Sequence, residues 1–336
     1  MLVVIHHIPQ YLATRMPDVP MFEQGAAGVD IFFAISGFVM YATAAKANHD
    51  WQGFLIGRAS RILPLYWFCT LLLGGSALLL PSLFKTFNTN VETLVSSLLF
   101  LPIYSEEGQI RPLLQMGWTL HYEVLFYAIT GVCLLLSQRN AAWLAASALA
   151  IGASVLSAMD ASLRHTPLIL LAPIVTEFLF GVLIAHIATK QRLDSRPADM
   201  RLRTVAILAL PAAVALIGSS QSAGVGWERV VYWGLAGALL LYAGVIFEPT
   251  VQRHFFKLTG GRFLGDVSYA LYLTHGFALS IGFKTAKLLG LTNFGMVSAV
   301  MLLTSLLFAA LTHHLIEKKI NGIFFRGLST VRSRLS

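Results

Sequence analysis

The chain has 336 residues, 56% of them hydrophobic and only 12% charged, with a formal charge of +8. That balance excludes a soluble globular domain and makes the chain a polytopic membrane protein. The basic residues lie between apolar runs and not in one patch, which excludes nucleic-acid binding; both cysteines, Cys69 and Cys133, sit inside apolar runs, which argues against a disulfide framework or a cysteine metal site.

Met1 to Ala13 (MLVVIHHIPQYLA) is apolar, but thirteen helical residues rise only ~20 Å. It reads as the second half of a transmembrane helix, with His6 and His7 in its outer part, and the first half is expected to precede Met1. A histidine can take a proton from a hydroxyl near neutral pH, or it can simply be satisfied by a neighbouring helix. The run from Val29 to Ala45 follows, with an acid, Asp30, and a small-polar break at Ser36-Gly37 that lets backbones approach closely. A short link then carries Arg58 and Arg61, three apart and so on one helical face, before Pro64 marks re-entry into the membrane. Paired guanidiniums at a membrane surface suit a phosphorylated ligand, and they also suit a simple positive-inside topology signal.

Further spans are expected at about 62–80, 118–137, 141–158, 166–188, 204–219, 227–247, 268–289 and 295–317. With 27–46 and the opening stub there are ten. Leu94 to Tyr104 is apolar but short, and reads as interfacial or re-entrant. In this scheme the cytoplasmic side holds Lys46, Arg58, Arg61, Arg139, the five basic residues between 190 and 203, Arg253, Lys257, Arg262 and the five after 317. That is 17 of the 24 Lys and Arg, against 7 outside, and it puts both termini in the cytoplasm. The expected architecture is all-α: a single membrane-embedded domain over 1–336, ending in a basic cytoplasmic tail, 318–336.

An ionisable side chain inside a span is a functional candidate by default. Trp118 to Tyr127 (WTLHYEVLFY) places Glu123 about two turns into its span, with Trp118, Tyr122 and Phe126 near one face. Glu123 could orient a histidine, bind substrate hydroxyls or pair with a buried arginine. Gly265 to His275 (GDVSYALYLTH) puts Tyr272 and His275 one turn apart, where they could line a polar cavity or hold helices together. His313-His314 with Glu317 has metal-like spacing but no convincing third ligand, and reads as capping or interfacial. Glu177 completes the costly acids. No GxSxG elbow, Walker loop, Rossmann fingerprint or HExxH occurs.

LVVIHH, GVDIFFAISGF, FLIGRASRILPLYW, WTLHYEVLFY, EFLFGVLIA, FLGDVSYALYLTH and HHLIEKK occur in that order over nearly the whole chain. Together they resemble acyltransferase family 3, the polytopic membrane O-acyltransferases, and most closely its exopolysaccharide branch. The resemblance implies an acyl donor such as acetyl-CoA presented from the cytoplasm of a bacterial inner membrane. The acyl group would pass to a hydroxyl of a polysaccharide or lipid-linked glycan, with no metal and with polysaccharide-assembly proteins as possible partners. It maps the family's first-helix histidine on His7, its arginine pair on Arg58 and Arg61, its Ser-Gly-Phe on Ser36, Gly37 and Phe38, and its acid on Glu123. The implied roles are His7 and Glu123 in catalysis, Arg58, Arg61, Ser36 and Gly37 at the donor, and Asp30, Trp118, Tyr122, Tyr272 and His275 at the acceptor. The basic residue that the family places eleven positions before this histidine would precede Met1. A flippase or proton-coupled transporter is the competing class, disfavoured by the lack of internal repeats; a non-catalytic scaffold is a third.

Overall fold

A computed structural model describes residues 1–48, 50–79, 90–103, 110–159, 166–191, 199–220, 224–251 and 261–335. The basic residues Lys85, Arg164, Arg192, Arg196, Arg253 and Lys257, and Tyr104, lie outside them. Among the described residues the regular elements are helices: α1 (Leu2–Leu12), α2 (Gly28–Ala44), α3 (Trp51–Leu79), α4 (Val91–Leu98), α5 (Trp118–Leu136), α6 (Ala141–Ser157), α7 (Glu177–Lys190), α8 (Met200–Ser219), α9 (Trp227–Arg229), α10 (Leu235–Val251), α11 (Gly261–Asp266), α12 (Ser268–Leu288), α13 (Phe294–Thr312) and α14 (Lys318–Leu335). Seven helical runs are long and apolar enough to cross a membrane, and α6 is apolar but shorter. Leucines and valines on the outer faces, such as Leu72, Leu136, Val214 and Leu307, are exposed. That is the surface expected of helices whose solvent is lipid, since helices satisfy their backbone groups internally.

Local sequence sets several boundaries. Asn90, Asp199 and Asn293 cap α4, α8 and α13 by accepting backbone N–H groups of the first turn. Three expected boundaries are corrected. Arg58 and Arg61 do not lie in a link, because α3 runs unbroken for 29 residues with Pro64 inside it. At 1.5 Å per residue it is ~43 Å long, more than the ~30 Å hydrocarbon core, so part of it projects beyond the lipid. The span expected at 166–188 begins instead as two 3-10 turns, Pro167–Leu171 and Pro173–Thr176, because proline disfavours helix in the residue before it. The last span does not stop at 317. A π turn, His313–Glu317, leads straight into α14, so the basic tail is a helix that continues the last span and runs antiparallel along α3. His313 Nδ1 donates to Glu317 Oε2 at 2.8 Å inside that turn.

The tail is held at two points. Phe324 meets the Trp67 ring edge-on at 5.7 Å, and Arg332 donates to Asp50 Oδ2 at 2.8 Å. The Gly53 N–H and the Arg332 guanidinium hold the exposed Asp50 carboxyl below its ordinary range. Short α4 docks on α3 through Tyr66 and Trp67, which donate to the carbonyls of Ser97 and Leu98 at 3.0 and 2.8 Å. Eight residues are too few to span, in line with the interfacial character of that stretch.

The centre of the bundle is α2 against α7. A Cβ on Gly37 would lie 2.0 Å from the Phe178 carbonyl oxygen, and one on Gly181 would lie 1.9 Å from that of Ala34. The two backbones touch, which is what small residues permit at membrane helix crossings. Beside them Phe33, Tyr122, Phe126 and Phe178 form the aromatic core, with Phe126 and Phe178 stacked at 4.3 Å. Gly37→Ala and Gly181→Ala are therefore expected each to cost ~1–3 kcal/mol through overpacking. Gly57→Ala, with open space around it, should be neutral or stabilising by up to ~1 kcal/mol. Melting curves of the three variants in detergent check this.

Candidate active site

A cavity of ≈ 300 Å³ opens where α1, α2, α3, α5 and α12 converge. Its polar lining is Arg61 from α3, Thr119 and Glu123 from α5, and Ser268, Tyr269 and Tyr272 from α12, on an apolar wall from the starts of α1 and α2. Large side chains around this space are tied back from it. Tyr269 donates to the Ile62 carbonyl at 2.7 Å, Tyr272 and Thr119 share a hydrogen bond of 2.8 Å, and Tyr272 stacks on Phe32.

Glu123 is buried at the cavity wall. Ser36 donates to its Oε1 at 3.0 Å, and Tyr127, one turn deeper on α5, donates to the same oxygen. The charges of Arg61 and Arg58 also act on this carboxyl. An acid in hydrocarbon is costly unless it is hydrogen-bonded or faces a cation, and Glu123 has both supports. Arg58 does not line the cavity. Its Nη2 donates to Thr43 Oγ1 at 3.2 Å and its guanidinium lies 5.9 Å from the Tyr127 ring centroid. Among the described residues neither arginine is consumed by a carboxylate ion pair.

Behind Tyr272 lies a second cluster. The His275 ring centroid is 6.2 Å from that of Tyr272 and stacks on His7 at 5.1 Å with the planes only 19° apart. His275 is fully buried; its Nδ1 donates to the Tyr272 carbonyl at 2.7 Å, and its Nε2 has no hydrogen-bond partner among the described residues. His7 Nδ1 bonds Gln10 Oε1 at 2.8 Å, and Gln10 Nε2 bonds His6 Nε2 at 3.0 Å. His6 Nδ1 in turn bonds the Phe22 carbonyl at 2.7 Å.

The structure thus gathers Arg61, Glu123 and Tyr272 at one cavity, with His7 and His275 stacked next to Tyr272 and Arg58 one turn from Arg61. It separates the others. Asp30 does not line the cavity: Arg229 holds it bidentately, Nε to Oδ1 at 2.9 Å and Nη2 to Oδ2 at 2.8 Å, with both side chains buried. Ser36 supports Glu123, and Gly37 is the contact with α7, so both act on the frame of the site. Tyr122 is buried in the aromatic core with Trp118 edge-on against it at 6.0 Å. Nor does Glu123 orient His7; its bonds go to Ser36 and Tyr127, and His7 is oriented by Gln10.

Five participants were not singled out from sequence: Gln10, Thr119, Tyr127, Phe22 and Arg229. Gln10 had a signal, since it lies three and four residues from the two histidines on one helical face. Tyr127 had the same i, i+4 relation to Glu123. Arg229, counted by its position as an outer loop charge, is instead the buried partner of Asp30. Its guanidinium also donates to the carbonyls of Ala26 and Gly224 and lies over the Trp233 ring.

The fold and the cavity define a polytopic helical membrane protein with an acid, an arginine and two tyrosines on one cavity and a histidine pair stacked behind one of those tyrosines. An acyltransferase domain model matches residues 1–314. The exopolysaccharide production protein ExoZ of Rhizobium meliloti (strain 1021) is 33% identical over 274 residues, 80% of this chain and 81% of the relative. No solved structure is a significant match. The chain belongs to acyltransferase family 3, and it is an acyltransferase.

Removing one partner of a buried ion pair strands the other charge. Asp30→Leu is expected to cost ~3–5 kcal/mol, and Asp30→Leu with Arg229→Leu together to restore most of that loss. Detergent melting of the single and double variants measures the difference.

Proposed function

We propose that the chain moves an acyl group, acetyl in the first instance, from acyl-coenzyme A to a sugar hydroxyl of an exopolysaccharide. The observation that carries this reading is the grouping of Arg61, Glu123 and Tyr272 around one cavity, with the His7–His275 stack behind Tyr272, in a family whose similar relative is named for exopolysaccharide production. The whole chain works as one membrane-embedded unit, in a bacterial inner membrane with both termini cytoplasmic. This is supported by the excess of Lys and Arg on that side of the apolar runs.

The donor set suits the ligand. Arg58 and Arg61 stand one turn apart on a helix that outlasts the lipid, with Arg61 exposed at the cavity and Arg58 bound only to a neutral hydroxyl. Such free guanidiniums bind phosphate oxygens in a fork. With the nucleotide end held there, the acyl arm extends past Glu123 toward His7. His7 takes the proton of the acceptor hydroxyl as the hydroxyl oxygen bonds to the thioester carbonyl carbon; the carbon–sulfur bond then breaks, and the thiolate leaves with that proton. Tyr272, Thr119 and Glu123 supply hydrogen bonds to the acceptor, and His275 packs against the His7 ring. An extended polysaccharide, or the same glycan on a lipid carrier, reaches the cavity from the outer side.

Transfer of labelled acetyl from acetyl-CoA in inside-out membrane vesicles tests the reading. His7→Ala is expected to abolish transfer while the protein still inserts, and retained activity would remove His7 as the base. Arg58→Ala and Arg61→Ala are expected chiefly to raise the KM for acetyl-CoA, each by on the order of tenfold for a lost charge-assisted contact. An unchanged KM would count against the phosphate role.

A further inference from the structure

We infer that Gln10 is the positioning residue that holds His7 in the one tautomer able to act as a base. The inference rests on the proposed role of His7. Four groups stand in line on α1 and the turn before α2: the Phe22 carbonyl, His6, Gln10 and His7. A backbone carbonyl only accepts, so His6 carries its proton on Nδ1 and, when neutral, presents a bare Nε2. That nitrogen can only accept, so the Gln10 amide turns its NH₂ toward His6 and its oxygen toward His7. The oxygen accepts from His7 Nδ1–H, which leaves the His7 Nε2 lone pair free. The direction of the whole line is therefore set by one carbonyl. That carbonyl is held close because Gly25 lies under His6: a Cβ there would come within 2.8 Å of His6 Cβ.

The acid and base groups around this line are few. His6 lies on the same helix, Glu23 stands behind it at 4.0 Å from Nδ1, and His275 faces His7 across the stack. Protonating His6 would put a donor on its Nε2 and reverse the amide. His7 Nδ1 would then meet an NH₂, its proton would move to Nε2, and the base would be lost although His7 itself remained neutral. Histidines that work through one ring nitrogen have the other fixed by a hydrogen bond that sets the tautomer, and where the working nitrogen holds a metal, losing that partner costs roughly 10–100-fold.

The experiment measures kcat for labelled acetyl transfer against pH in membranes carrying the full chain. In parallel it records the nitrogen-15 shifts of His7 in the purified protein, assigned by their loss in His7→Asn. Gln10→Leu is expected to lower kcat by about 10²-fold, to leave the KM for acetyl-CoA and the melting temperature as in the parent, and to convert His7 Nε2 from an unprotonated to a largely protonated nitrogen. Gln10→Glu still accepts from Nδ1; it should keep the parent tautomer and move the acid limb to higher pH, because a carboxylate stabilises the imidazolium. A Gln10→Leu protein with the parent pH profile and the parent His7 tautomer overturns the inference. If the parent itself transfers no acetyl yet the tautomer switches in Gln10→Leu, the positioning of His7 stands and the acyl-transfer reading falls.

Discussion

Hydrocarbon offers no water to a polar group, and helix α2 carries its polar residues through the bundle only because other helices answer each one. Asp30 is answered by Arg229, whose guanidinium also takes the carbonyls of Ala26 and Gly224. Ser36 is answered by Glu123, and Gly37 by the bare backbone of α7 at Phe178. These three contacts place α2 against α5, α7 and the α9–α10 run. Glu177, fully buried at the start of α7, closes the same region against Gly234. With α2 locked on that side, its other face, Ile31, Phe32 and Ile35, is left to form a wall of the cavity.

The site divides its labour by helix. α3 offers two arginines, α5 a carboxyl held by two hydroxyls, α12 two tyrosines and a histidine, and α1 the histidine proposed as the base. None of these groups comes from α2 or α7, the helices whose backbones touch at Gly37 and Gly181.

Most helices were legible in the chain as uninterrupted apolar runs, and α5, α6 and α8 begin and end close to where hydropathy puts them. The start of α3 was not. Trp51 to Arg61 mixes polar and apolar residues, so hydropathy fell silent, while nothing in its composition prevents a helix. The proline-led turns before α7 were hidden by a continuous apolar run, and α14 by its charge. In the site, His7, Glu123 and the arginines were found because ionisable residues in a membrane stand out. Their partners were not, since 199 residues separate Asp30 from Arg229 and 87 separate Ser36 from Glu123. Gln10 is the instructive case: its spacing from His6 and His7 was in plain view, but a survey of ionisable groups passes over an amide, and only geometry shows that its orientation decides where a proton sits.

The most direct test of the account is a structure of the full chain in lipid with a non-hydrolysable acetyl-CoA analogue. The account predicts phosphates against Arg58 and Arg61 and the acyl carbon in the cavity beside Tyr272. It also predicts His7 Nε2 within reach of a hydroxyl placed ~3–3.5 Å from that carbon. Donor density elsewhere in the bundle, with the cavity filled by lipid or by the acceptor alone, would contradict it.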